Sequence, residues 1–454
     1  MDKKQFLNLK NKYQKNKLEN GLKIICSPNK FHNTCSIVFL VRVGSRNEKY
    51  EEYGLAHYLE HMLFKGNRTH PKYQVLNKII DSLHAQTNAA TYKNYTMYYL
   101  KLPSKNFKAG LQILREMVFF SNLDTKELEK EKDVVIEEIN KTYDESIEYA
   151  HDLLETELFG KHPLAHFILG TKKHIRNLNR KQLMKFYQKY YVANNSCVSL
   201  SGDIPDNYMK VLEEVLGSLK SKPLNISFTD FESKLLKPRV ICHFRKQEQI
   251  SLALGFPTMK ENDEKKYVLD VISQLLYGNM TSRLWLKLRE NNPIVYGLDV
   301  YVELFEEGGF FSIDLSLSKK NVENTIKILF EELTKLKNGL VKSKELNLVK
   351  KKMISDLEEE DDDNLDISSY YGEKYLLDLK LTTFKDTIQK IKNISATDIQ
   401  KVSQELFIFS KCVLIQVGNV RQKELEMLVK KYFKLESNKK KIIKKTKKKT
   451  NKNK

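Results

Sequence analysis

His57, Glu60 and His61 are the residues of this chain whose types and spacing most directly imply chemistry. They lie in the run Gly54-Leu55-Ala56-His57-Tyr58-Leu59-Glu60-His61-Met62-Leu63-Phe64-Lys65-Gly66. At about 100° per residue, a helix through this run puts Leu55, Leu59, Met62 and Leu63 on one face and His57, Glu60, His61 and Phe64 on the other. Two histidines four residues apart on a helix can present both imidazoles to one ion, and Zn²⁺ is the usual ion for two His plus a carboxylate. Glu60, beside His61 and one turn from His57, is then free to hold and deprotonate a water. The order His-x-x-Glu-His reverses the His-Glu-x-x-His motif known from zinc proteases. With ten histidines in 454 residues, roughly one or two random chains in a hundred would contain this spacing. The competing reading is a solvated polar helix face.

A third ligand separates the two readings. Residues 126–148, read as a helix, offer Glu131, Glu137 and Glu138. Leu128, Val135 and Ile139 mark the buried face, and Glu131 and Glu138, seven apart, run along its edge. Glu137 falls opposite, with Lys130 and Lys141. A carboxylate bordering a core needs a partner, which favours Glu138 as metal ligand. Glu131, two turns away in the same stripe, suits an outer role, orienting a ligand or the water. An exposed acidic helix laced with lysines is the alternative.

The elements that must position these groups read as α+β. Residues 22–26 and 35–41 are strand-like, Gly44-Ser45 turns the chain into the motif helix, and Val75, Leu76, Ile79, Ile80 and Leu83 recur at helical spacing. The Thr and Tyr content of residues 88–100 predicts a strand. Residues 190–203 and 409–419 resemble each other: each is a β-rich run ending in Gly-Asp or Gly-Asn, with an amphipathic helix after it reaching Leu219 or Leu435. Their offset of about 216 residues implies an internal duplication. The expected organisation is an N-terminal arm (1–17), a zinc-binding catalytic domain (18–217), a linker (218–238), a second similar domain (239–435) and a disordered Lys-rich tail (436–454). Each domain is expected to be a mostly antiparallel sheet packed with helices. No second His-x-x-Glu-His occurs, so the metal belongs to the first.

The bulk properties suit a globular protein of two domains, with 41% hydrophobic and 10% aromatic residues. Five scattered cysteines without a Cys-x-x-Cys pair read as reduced core thiols. No apolar run approaches the roughly 20 residues of a membrane span, and residues 1–6 show neither a signal-peptide core nor a transit composition. A soluble, cytoplasmic protein is expected, with nuclear entry through the tail as the variant. Half of the net charge of +20 comes from the ten lysines of residues 439–454. Binding to nucleic acid or an anionic surface is therefore expected only through that tail. The acidic run 356–366 reads as a solvated loop.

Three segments together, Gly44-Ser45-Arg46-Asn47-Glu48, the motif run 54–66 and Glu131-Lys132-Asp133-Val134-Val135-Ile136-Glu137-Glu138, resemble the pitrilysin (insulinase) family of zinc metallopeptidases, particularly its short-chain branch of processing peptidases. The resemblance extends over about 18–435. It implies Glu138 as metal ligand, Glu131 as an auxiliary acid, and one Zn²⁺ per chain. It also includes His162-Pro163-Leu164-Ala165-His166, whose paired histidines are discounted on that ground as a rival metal site. Residues 282–296 are similar to the family's substrate-binding segment, implying that Arg289 and Tyr296 reach the peptide. A guanidinium and a phenol can both donate to a carbonyl or a developing oxyanion. Asn88, Ala89 and Thr91 are implied as a sheet edge to which an extended peptide adds. The pattern departs at His84-Ala85, where the family has Gly-Gly, and at Pro293, where it has Gly. What the resemblance implies is a zinc endopeptidase acting on peptides or unfolded segments, as a homodimer or a heterodimer with a related chain. Its rival is a non-catalytic structural or assembly protein on the same fold.

Overall fold

A computed structural model describes residues 13–233 and 235–432. One sheet has the order β1-β2-β6-β3-β5-β4, built from β1 Gln14–Lys17, β2 Lys23–Pro28, β3 Thr34–Val41, β4 Gln86–Thr91, β5 Thr96–Pro103 and β6 Ser196–Gly202. The other has the order β7-β11-β8-β10-β9, built from β7 Arg239–Phe244, β8 Gln249–Thr258, β9 Val295–Leu304, β10 Gly309–Ser318 and β11 Val413–Gly418. With β1 set aside, the wiring is the same. The parallel pair β2 and β6 matches β7 and β11, and the remaining neighbours are antiparallel in both sheets. The duplication read from residues 190–203 and 409–419 is thus a repeated topology, with β6 and β11 as equivalent central strands.

Four helices decide where the site lies and how the chain divides: α1 Leu55–Leu63, α2 Thr125–Asp144, α3 Ser146–Phe159 and α4 Asn364–Leu376. Alternation along the strands sends successive side chains to opposite faces. Ile24, Cys26, Ile37, Phe39 and Val41 join a core with Leu55, Leu59, Met62 and Leu63 of α1. Ile25, Val38, Leu40 and Cys197 point the other way, onto Ile367, Tyr371 and Leu376 of α4. Burial on both faces explains why β3 is apolar almost throughout. The second sheet packs Ile250, Leu252, Leu254 and Phe256 against the helices Lys266–Tyr277 and Val322–Asn338. Its other face carries α3, where His151 Nδ1 lies 2.5 Å from Asp314 Oδ2 on β10.

Helices α3 and α4 are therefore exchanged in sequence. The described residues of Met1–Lys141, His166–Ser227 and Ser355–Ile388 form one compact unit, and those of Thr142–Ala165, Phe228–Ile354 and Gln389–Lys454 the other. Each sheet is drawn from one half of the chain, but each unit takes a helical segment from the other half.

Several expected elements differ in detail. Residues 88–100 are not one strand but parts of β4 and β5, a hairpin in which Thr91 pairs with Thr96 and Lys93-Asn94 makes the turn. The helix read over 126–148 ends at Asp144. Residues 14–17 of the expected arm are β1, antiparallel to β2. The acidic run 356–366 is not a loop: it closes the helix Ser343–Glu360 and opens α4, where the Asp363 side chain accepts from the Leu365 and Asp366 N–H groups. Residues 436–454 lie outside the described residues. Cys26, Cys35, Cys197, Cys242 and Cys412 are all free thiols. No helix among the described residues is long and apolar enough to cross a membrane.

Candidate metal centre

Helix α1 is anchored by its apolar face. Leu55, Leu59, Met62 and Leu63 are fully buried, and such burial stabilises by about 1.5–3 kcal/mol per side chain. The Tyr58 hydroxyl donates to the Leu128 carbonyl of α2, tying the two helices together. Gly54 starts α1 at φ +90°, a left-handed conformation, and a Cβ there would stand 2.5 Å from the Leu169 carbonyl oxygen. Both conditions call for glycine at this position.

Fixed in this way, α1 turns His57 and His61 toward α2. His57 Nε2 is 3.7 Å and His61 Nε2 3.5 Å from Glu138 Oε2. One ligand atom from each of His57, His61 and Glu138 lies within 4.8 Å of the other two, a grouping with no second example among the described residues. A tetrahedral zinc with bonds of about 2.0–2.1 Å needs ligand atoms roughly 3.3–3.5 Å apart, and the two separations from Glu138, 3.7 and 3.5 Å, lie close to that range. Burial, and then the neighbouring His61, pushes His57 down to about 3. Its ring is thus neutral over the physiological range, as a metal ligand must be.

The acids around the histidines take separate places. Glu131 Oε1 is 2.9 Å from His61 Nδ1, and its other oxygen is 2.6 Å from Lys65 Nζ. Burial would raise the Glu131 carboxyl, but His61 and Lys65 outweigh it and hold the group below its usual value. For His61, burial pulls down while the Glu131 hydrogen bond and the charges of Glu138 and Glu60 push up, with a net rise. A carboxylate on the far nitrogen of a ligating imidazole fixes its tautomer and orientation. Glu137 points away, with one carboxyl oxygen accepting from Asn140 at 3.2 Å.

Glu60 is buried, and the Thr91 hydroxyl donates to its Oε2 at 2.8 Å. Burial raises the Glu60 carboxyl, a shift partly offset by Thr91. Thr91 ends β4, which pairs only with β5 and forms one end of its sheet among the described residues. Tyr92 N–H donates to Tyr95 C=O at 2.9 Å, and antiparallel alternation from that pair aims the backbone groups of Ala89 and Thr91 away from β5. Asn88 bends its side-chain carbonyl onto the Ala89 N–H at 2.9 Å. Just before β4, His84 adopts φ +51°, a conformation that favours glycine, so the departure from Gly-Gly changes the side chain while the backbone keeps a glycine-like turn.

Arg289 and Tyr296 meet each other in the second unit. Arg289 lies on the π-helical turn Leu286–Glu290 and donates from Nη1 to the Tyr296 carbonyl at 2.7 Å. Along β10, Ser316 pairs with Gly297 and Leu317 with Val295, so Tyr296 is the extra residue of a β-bulge on the outer strand β9. A bulge re-aims a side chain, and Tyr296 is 63% exposed.

Glu48 and His166, the second discounted as a metal ligand from the sequence, come together in a contact of their own. The Glu48 carboxylate accepts from the N–H groups of Gly54 and Ala56 at 2.8 and 2.7 Å, and His166 Nε2 lies 3.3 Å from Glu48 Oε2. His162 and His166 do not form a metal pair: the first bonds the Thr229 carbonyl and the second the Ser45 carbonyl. No local periodicity links residue 48 to residue 166, so only the fold reveals the contact.

Residues 23–172 match the family pattern described as insulinase (peptidase family M16), and residues 177–353 match the pattern described as the peptidase M16 inactive domain. The chain is similar to an uncharacterized zinc protease of Bacillus subtilis, 30% identical over 86% of this chain and 94% of that protein. An uncharacterized zinc protease of Rickettsia bellii is 29% identical over 88% and 96%. Among solved structures, a protease from Helicobacter pylori aligns with a TM-score of 0.84 at 22% identity, over 90% of this chain and 99% of that one. A peptidase M16 inactive domain from Pseudomonas fluorescens aligns at 0.83 and 20%, over 90% and 98%.

Proposed function

The chain belongs to the insulinase (peptidase M16) family, and from that membership and its metal centre we propose that it is a zinc-dependent endopeptidase. The observation that carries the proposal is the meeting of His57, His61 and Glu138 around one point, with the buried Glu60 carboxyl beside them on α1. These three residues would hold the ion. When bound, zinc supplies Lewis acidity, which polarises a carbonyl and acidifies water. Glu60 takes the proton from the attacking water and returns it to the departing amine. Its burial raises its proton affinity toward what such a shuttle requires. Glu131 keeps His61 in one tautomer and Thr91 keeps Glu60 in one rotamer.

The substrate is a peptide or unfolded segment in extended form, added to the open edge of β4 at Asn88, Ala89 and Thr91. Arg289 and Tyr296 donate to the substrate backbone. The rival role, a non-catalytic assembly protein, gives no reason to retain both histidines, Glu60 and Glu138 together. Incubating the zinc-loaded chain with a peptide library, and mapping new termini by mass spectrometry, tests the proposal; an intact library would refute it.

Thr91 provides a finer prediction. Thr91→Val keeps the size and the strand propensity but removes the hydroxyl from Glu60. The expected result is a kcat about tenfold lower with KM little changed, since one hydrogen bond to a charged group contributes about 1.5–3 kcal/mol. A rise in KM at unchanged kcat would instead assign Thr91 to substrate binding alone.

The active form is a dimer, with a second copy or a related chain, in which Arg289 and Tyr296 of one chain serve the zinc site of the other. Mixing Glu60→Gln chains with Tyr296→Phe chains should then restore activity above either variant alone. Mixtures no more active than the average of the two would refute shared sites.

A further inference from the structure

We propose that Glu48, locked by His166 and Lys93, is a positioning residue that caps the metal helix from outside and thereby holds His57 in place. The inference goes beyond the proposed function and rests on it only for the consequence drawn for zinc.

The need for such a device follows from where the first ligand lies. Gly54 is the N-cap of α1 and has no side chain to cap with, so His57 is the third residue of a turn whose first N–H groups lack helical partners. A first turn without a cap frays, and here fraying would carry a metal ligand with it. Glu48 supplies two of the missing acceptors, one oxygen to Gly54 N–H at 2.8 Å and the other to Ala56 N–H at 2.7 Å. A carboxylate at a helix N-terminus also opposes the positive end of the helix dipole.

Glu48 is held in turn. His166 Nε2 is 2.6 Å from the Ser45 carbonyl and 3.3 Å from Glu48 Oε2, and its ring stacks on Tyr53 at 3.9 Å and 6°. Lys93, itself buried, donates from Nζ to the His166 carbonyl at 2.7 Å. The segment that follows closes over the cap: the Leu169 carbonyl blocks any Cβ at Gly54, and the Tyr53 carbonyl blocks any Cβ at Gly170. Residues distant in sequence thus converge on two N–H groups of one helix turn. Neither Glu48 nor His166 is among the groups assigned to the metal, the proton transfer or the substrate.

Glu48→Gln tests the proposal, because glutamine keeps the shape but leaves one acceptor for two N–H groups. Two readouts are taken, with Glu51→Gln, an exposed acid nearby, as control. In the metal-free chain, amide hydrogen exchange at Ala56 should quicken about tenfold relative to β3 and β5. In chelator competition, zinc should dissociate about tenfold more readily, the lower end of what outer partners of a metal site contribute. Glu51→Gln should change neither. Should Glu48→Gln fail to fold, His166→Phe, which keeps a ring against Tyr53 but loses the nitrogen, should shift both readouts in the same direction. Unchanged exchange at Ala56, or exchange raised equally across β3 and β5, overturns the clamp. If the wild-type chain takes up no zinc, the metal reading fails, while the exchange comparison still decides the clamp.

Discussion

Glu60→Gln is expected to lower peptide hydrolysis by roughly 10³-fold while zinc stays bound. Glutamine fits the same buried position and can still accept the Thr91 hydroxyl proton, so neither α1 nor the three proposed ligands is disturbed. What disappears is a group able to take a proton from water and return it to the amine, a function worth about 10²–10⁴ in rate. Single-turnover cleavage of a peptide found in the library screen, together with zinc content by atomic absorption, makes the comparison. Activity within tenfold of wild type at equal zinc content would remove Glu60 from the mechanism.

The second large effect concerns the third ligand. Glu138→Gln should weaken zinc binding by more than the ten- to hundredfold typical of outer partners, because it removes an anionic donor from the ion itself. Glu137→Gln should leave zinc binding at the wild-type level, since its side chain turns to Asn140 and away from the histidines. Glu138 is 41% exposed in its side chain, so its loss should barely move the unfolding of the metal-free protein. Equal zinc affinity in the two variants would mean that the ion is held elsewhere. The pair of adjacent glutamates thus converts a question of helix face into a measurement.

That helix face was legible in the sequence because amphipathic periodicity carries it. Leu128 and Val135 are buried as the spacing demands, and Glu138, on the edge of that stripe, is the acid that reaches His57 and His61. The motif on α1 was legible for the same reason, and so was the duplication, since β6 and β11 keep similar sequences at equivalent central places.

The illegible parts depend on contacts between distant residues. The exchange of α3 and α4 between the units leaves no mark on local pattern, because a helix's own periodicity does not say which sheet it covers. The hairpin turn at Lys93-Asn94 was hidden by strand-forming Tyr and Thr on both sides. The acidic run reads as solvated by composition, yet Asp363 within it caps a helix and pairs with Lys101 at 2.6 Å. Thr91 was legible as a sheet-edge residue through the family resemblance, but its hydrogen bond to Glu60 needs α1 laid across β4. The departure at His84 was visible in the sequence, and only the backbone shows that histidine adopts the turn's positive φ.

The central claim is that one zinc ion is held by His57, His61 and Glu138. Diffraction from crystals of the zinc-loaded chain, recorded on both sides of the zinc absorption edge, tests it most directly. The prediction is one anomalous peak per chain, within about 2.0–2.2 Å of His57 Nε2, His61 Nε2 and a Glu138 carboxylate oxygen. No peak there, or a peak bound by other residues, would contradict it.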